Sequence, residues 1–284
     1  AAVALTIGAG SAQAQAFADV KSALTDYSKA DVSARKVCAD MAQYKGKDIA
    51  EIQVGLDGIA FAEAKEGPGM KLTPTDVYKA LAANPFGKPN TAKTWADANA
   101  ALPAQDILAF IPGTKHGTRE VFDVNVIETG CKTFKADKVL ARRVNNDKDL
   151  TKAACIALRT DGRVVEIDGD YTETLARLGA NANGIGVFGL AFYENNRDKL
   201  RVATFKGVTP SRETVSSGKY KISRPLFLYV KMQHMNVIPG LKEFVQFFIS
   251  DEMAGAGGPL EAYGLVPDPA LAKTQKQVDA DASM

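Results

Sequence analysis

The residues best suited to chemistry in this chain lie together at Ile111-Pro112-Gly113-Thr114-Lys115-His116-Gly117-Thr118-Arg119. A Pro/Gly turn, two hydroxyls and two or three cations open there directly into the helical-looking run Glu120 to Gly130. A helix start carries backbone N–H groups without acceptors and a partial positive charge, so a small tetrahedral oxyanion placed there gains several hydrogen bonds at once. Thr114, Thr118 and Arg119 can add side-chain donors. The same residues also describe a Thr-capped helix after an ordinary turn.

The elements around this cradle are those that would have to position it. Asp106 to Ile111 reads as a strand feeding the turn, with the following helix stopping at Gly130. Strand, tight Gly turn and helix start is the arrangement in which open α/β sheets hold anionic ligands. A second candidate, Asp168-Gly169-Asp170-Tyr171-Thr172-Glu173, reads as a structural cap: its two aspartates suit an anion badly, and Thr172 would cap a short helix ending at Gly179. Ile49 to Phe61 reads as a strand broken at Asp57-Gly58. Thr73-Pro74-Thr75-Asp76 opens a helix with Thr73 as cap, Pro74 where a missing N–H costs nothing, and Val77, Tyr78 and Leu81 on one face. Asn84 to Thr91 is a loop, Trp95 packs, and Lys132 to Lys152 is charged and weakly patterned.

Further along, Asn183-Gly184-Ile185-Gly186-Val187-Phe188-Gly189 is an apolar, glycine-punctuated strand. Its spacing is wrong for a dinucleotide fingerprint, and no phosphate-binding helix is expected to open from it. Ser223-Arg224-Pro225 leads into a strand from Leu226 to Val230. Ile238-Pro239-Gly240 begins a helix with Ile238, Leu241, Val245 and Phe248 on one buried face. The tail beyond Pro269 is polar and expected to fray.

At 284 residues and 46% hydrophobic, the chain can bury one large core or two lobes. A net charge of +2 and the lack of a basic, aromatic-rich stretch exclude a polybasic nucleic-acid surface. Ala1 to Ala16 is apolar and uncharged and finishes in A-x-A spacing, which reads as a signal-peptide remnant, too short for a membrane span, with a mature start near Phe17. Export permits oxidation, so Cys131 and Cys155 are a candidate disulfide, which leaves Cys38 over. His116 and His234 are far apart and no Cys/His cluster exists, so neither a metal nor another cofactor is expected.

Taken together, Gly55 to Ala60, the cradle with Gly117-Thr118-Arg119, Asn183 to Gly189, Tyr220 to Leu226 and Val237 to Leu241 resemble the phosphate-binding proteins of bacterial ABC importers. The likeness covers about Asp26 to Asp268. It implies an α/β, two-lobed periplasmic binding protein of type II with a central ligand cleft and no enzymatic activity. The expected division is a first lobe of residues 17–110 plus 191–270, a second lobe of 111–190 and a flexible tail of 271–284. The expected partners are inorganic phosphate and an ABC permease in the inner membrane, without nucleic acid.

On this resemblance the ligand is gripped at His116, Gly117 and Thr118, with Arg119 next and Thr114 beside them; His116 stands where the family has serine. Ser28-Lys29 is the nearest match to a family Ser-Arg pair, with Lys29 in place of the arginine, and Asp57 is the candidate acceptor for the proton that phosphate retains at neutral pH, with Asp168 and Asp170 behind it. Between Ala16 and Asp26 the chain lacks two family phosphate-binding turns and the place where relatives keep a partner for Cys38; either the sequence is incomplete internally, or this is a divergent member whose first lobe is reduced at its N-terminal end. Two alternatives follow: a surface or scaffold protein with a degraded pocket, and a hydrolase using His116, for which the spacing offers no orienting carboxylate or metal.

Overall fold

The structure is a computed structural model and describes residues 49–235 and 237–280. The expected signal segment, Ser28-Lys29 and Cys38 lie outside these residues. The strands are β1 (Ile49–Ala64), β2 (Lys71–Leu72), β3 (Ala109–Pro112), β4 (Val164–Ile167), β5 (Ile185–Gly189), β6 (Leu200–Val202), β7 (Thr204–Phe205) and β8 (Ser223–Lys231). The main sheet has the order β4-β3-β5-β1-β6, with β3 parallel to both β4 and β5 and β1 antiparallel to β5 and β6. β2 and β7 form a separate parallel pair.

β1 is the long element that organises the molecule. Its first part pairs with β8 from Ile49↔Lys231 to Gly58↔Ser223, and its second part pairs with β5 from Ile59↔Gly189 onward. The strand is continuous through Asp57-Gly58, where the sequence suggested a break; the register slips instead between Gln53 and Gly55. What changes at Gly58 is the partner. The apolar residues follow suit. One core holds Ile59 to Ile222 together with Val266, and a smaller one holds Ala50, Ile52 and Val54 with Val230, Val245, Ile249, Leu271 and Val278. β3 and β5 are neighbours in one sheet, and Phe110, Ile111, Phe188 and Leu190 belong to the larger core.

The helix caps show how local chemistry sets these elements. In α1 (Pro74–Leu81), Thr73 accepts from the Asp76 amide while the Asp76 carboxylate accepts from the Thr73 amide at 2.8 Å, a reciprocal capping box, and Val77, Tyr78 and Leu81 are buried. Trp95 is fully buried, as expected. The helix after the cradle, α2, starts at Gly117 and runs past Gly130 to Thr133, with wide π-type turns over Phe122–Glu128. The charged stretch that follows forms two further helices, Ala136–Arg143 and Lys148–Ile156. Cys131 and Cys155 are disulfide-bonded, tying α2 to the second of these across a separation of 24 residues. Closing a loop of that length stabilises the fold by about 3 kcal/mol.

Other expectations are corrected. The helix α3 (Tyr171–Ala180) is capped by Asp170, whose side chain accepts from the Thr172 amide, because the aspartate precedes the first turn and Thr172 lies inside it. A short helix, α4 (Leu190–Asn195), does open directly from β5 at Gly189. In α5 (Leu241–Phe248) Val245 is buried and Leu241 and Phe248 are half-buried; Ile238 is exposed because the left-handed Gly240 starts the helix only after it. The segment beyond Pro269 is helical as α6 (Leu271–Asp279), its Leu271 and Val278 buried in the smaller core.

Gly130 tests the packing of α2 on α1. A Cβ there would lie 2.2 Å from the Pro74 carbonyl oxygen and 2.5 Å from the Tyr78 Cβ. Alanine would gain about 1 kcal/mol of helix propensity, yet a backbone carbonyl cannot give way as a flexible side chain can. Gly130→Ala is therefore expected to cost about 2 kcal/mol net and to lower Tm by roughly 4–8 °C in a thermal melt; an unchanged Tm would refute the close approach.

Candidate functional site

β3 delivers the chain to the cradle, and the turn is closed by the His116 amide donating to the Gly113 carbonyl at 3.1 Å. Arg119 N donates to the His116 carbonyl at 3.0 Å, so α2 begins at Gly117, whose position is exposed. The amides of Gly117 and Thr118, at the first two helical positions, have no intrahelical acceptor.

The predicted residues divide into three groups. Thr114 is exposed at the mouth of the turn, and His116 is half-buried with Nε2 3.4 Å from the Asp168 carbonyl oxygen. That partner is a main-chain carbonyl, so His116 carries no orienting carboxylate there. Thr118 is buried, and its Oγ1 accepts from the Tyr171 hydroxyl at 2.9 Å. Arg119 is buried and engaged behind the turn: Nε reaches Asp123 at 2.7 Å, and one terminal nitrogen lies 2.9 Å from Glu166 and 3.3 Å from the Pro112 carbonyl.

Facing the turn is a residue that sequence reasoning placed only at a strand start. Arg224, first in β8 after Ser223, lies opposite Asp57 in the β1–β8 register. Its guanidinium crosses in front of α2, with Nη2 2.2 Å from where a Cβ on Gly117 would stand. Only glycine leaves that room. Arg224 Nη1 is 3.5 Å from Glu120, and its Nε is buried with no hydrogen-bond partner. A cation laid against the positive end of a helix is opposite to the favourable arrangement.

Asp57 and Tyr171 share this environment. Burial pushes the Asp57 carboxyl above the usual carboxylate range, and Arg224 and the Gly58 amide oppose the rise. Burial likewise raises the Tyr171 phenol, with the Asp57 charge adding to the rise. Gly117, Thr118, Asp57, Arg224 and Tyr171 thus converge where the two cores meet. Asp168 sits apart on the other side of the turn, its Oδ1 1.9 Å from a Cβ built on Gly113, and Asp170 caps α3. Tyr171 and Arg224 were missed because each contacts the cradle from far along the chain. The one local signal was an arginine opening an otherwise apolar strand.

With the geometry in place, comparison with known proteins is informative. A model of the PBP superfamily domain matches residues 5–252. The chain belongs to the PBP superfamily. The phosphate-binding protein PstS of Staphylococcus haemolyticus is 30% identical over 250 residues, covering 86% of this chain and 66% of the relative. PstS of Staphylococcus epidermidis is 28% identical over 254 residues, covering 86% and 64%. The chain therefore spans a little under two thirds of these relatives. Among solved structures, a possible phosphate binding protein from Planctomyces limnophilus superposes with a TM-score of 0.56 at 20% identity, over 90% of this chain and 79% of that one. A phosphate binding protein from Stenotrophomonas maltophilia gives 0.51 at 13% identity, over 82% and 69%. These likenesses establish the α/β fold of type II periplasmic binding proteins. Among the described residues no helix is long and apolar enough to cross a membrane, and no cluster of three or more His, Cys, Asp or Glu could hold a metal.

The position of Asp57 gives a test by pH. Its folded pKa lies above the unfolded value, so the ionised form is disfavoured by folding. The penalty is absent below about pH 4, grows as pH rises and is complete above the folded pKa. Asp57→Asn removes it. The variant should melt higher than the parent at pH 7, with the advantage vanishing towards pH 4. An asparagine variant less stable at pH 7 would mean that attraction to Arg224 outweighs burial.

Proposed function

We propose that this chain captures inorganic phosphate where the two cores meet and, in the periplasm, delivers it to the permease of an ABC importer. The observation that carries the reading is the Arg224 guanidinium held against the start of α2 at Gly117. A guanidinium lying beside a helix start concentrates positive charge, which an anion bound against both groups offsets. The names of the PstS relatives point to the same ligand.

In this reading the amides of Gly117 and Thr118 and the hydroxyls of Thr114 and Thr118 donate to phosphate oxygens, with His116 flanking them. Arg224 offsets charge and can donate bidentately. Arg119 contributes from behind, its ion pairs with Asp123 and Glu166 keeping the turn in shape. Asp57 accepts the hydrogen that phosphate keeps at neutral pH. Sulfate has none, and facing it with an ionised carboxylate leaves an acceptor unpaired, at a cost of about 1–3 kcal/mol. On the family resemblance, Ser28 supplies a further hydroxyl. The role proposed is capture rather than catalysis: the ring partner of His116 among the described residues is a main-chain carbonyl, which does not orient it as a carboxylate would.

Calorimetric titration of the full chain with phosphate tests this. Binding at micromolar Kd or tighter is expected, with Thr118→Ala and Arg224→Ala each weakening it by about tenfold or more. His116→Ser, which restores the residue of the resembled family, should bind equally or more tightly, and Asp57→Asn should narrow the preference over sulfate. Absence of phosphate heat would favour a scaffold with a degraded pocket, and an unaffected Arg224→Ala would remove the central assignment.

A further inference from the structure

Thr118 is useful to an anion only if its hydroxyl hydrogen points at the ligand, and the residues around it decide where that hydrogen goes. A hydroxyl has one hydrogen to donate and two lone pairs. The Tyr171 hydroxyl donates its own hydrogen to Thr118 Oγ1 at 2.9 Å. The phenol oxygen is hemmed in beside β5, 3.4 Å from where a Cβ on Gly189 would stand. The ring is fixed as well: its centroid lies 5.9 Å from that of Phe188 and 5.3 Å from that of Phe192, and the residue occupies the first position of α3. Among the described residues, the Thr118 hydroxyl hydrogen has no acceptor of its own.

We infer that Tyr171 is a positioning residue for anion capture: by occupying an acceptor lone pair of Thr118 Oγ1, it commits the threonine hydrogen to the bound oxyanion. This rests on the phosphate reading and deepens it. Without the phenol donor, Thr118 can turn its hydrogen elsewhere and present a lone pair to the ligand, which repels an anion. The tyrosine therefore favours ligands that accept at this position and disfavours those that would have to donate.

The experiment is a double-mutant cycle on the full chain, read by calorimetry with inorganic phosphate and by thermal melts without it. Tyr171→Phe should weaken phosphate binding by about fivefold to tenfold while the ligand-free Tm stays within a few degrees. Thr118→Val should weaken binding at least as much, and adding Tyr171→Phe to it should change affinity by less than about twofold. Thr118→Ser keeps the hydroxyl and should restore sensitivity to Tyr171→Phe, a rescue that general loosening of α3 would not produce. Independent, multiplying effects of the two changes, or parental affinity in Tyr171→Phe, would overturn the inference while leaving phosphate capture intact. A parent chain that takes up no phosphate would instead overturn both.

Discussion

The site depends on one electrostatic constraint: a guanidinium is held against the amino end of a helix, where a cation is least welcome. Strand pairing imposes it. The β1–β8 register sets Arg224 opposite Asp57, and the absence of a side chain on Gly117 lets the arginine lie across the helix start. Two carboxylates work against the repulsion, neither completely. The Glu120 pair is a 3.5 Å contact between partly exposed side chains, of a kind worth at most about 1 kcal/mol. Asp57 is drawn towards protonation by burial even as Arg224 pulls the other way. What remains is a positive pocket with a buried guanidinium N–H lacking an acceptor. Such a pocket favours an anion over water.

Two arginines divide the work, and their difference explains why one was visible in the sequence and the other was not. Arg119 stands beside the turn in the chain, so any reading of local chemistry finds it. Its nitrogens are taken by Asp123, one turn along α2, and by Glu166, which β3–β4 pairing sets opposite Ile111. Arg224 is more than a hundred residues from Gly117, and its meeting with it requires a strand that changes sheets. Tyr171 is hidden in the same way: a cap sequence announces a helix start, but not that its first residue reaches the cradle threonine. Local chemistry marks the helix start with its free amides, and tertiary pairing brings Arg224 and Tyr171 to it.

The same distinction runs through the fold. Thr73 and Pro74, the burial of Trp95 and the Cys131–Cys155 bond were legible because caps, turn residues and cysteine spacing act over short range. The helices between Ala136 and Ile156 were not, since charged faces and polar caps obscure their apolar period, and Leu140 and Cys155 are their main buried anchors beyond Ala136. α6 was read as a tail for a related reason: Leu271 and Val278 find their partners only in a core built from β1, β8 and α5. The two cores divide where β1 exchanges β8 for β5, a change of partner that no local motif announces.

That exchange also bears on how ligand could drive closure. Asp57 and Arg224 sit next to the points where β1 and β8 pass between the cores, and residues close to a rotation axis move least when the parts on either side turn. Contacts near the axis are made in open and closed states alike, so they supply affinity without biasing the equilibrium. A ligand shifts a conformational balance only by what it gains in one state and not in the other. If capture is coupled to closure, the differential contacts must come from groups farther from the crossing. Seat and trigger would then be separate parts of one site, the seat where β1 and β8 cross and the trigger farther away.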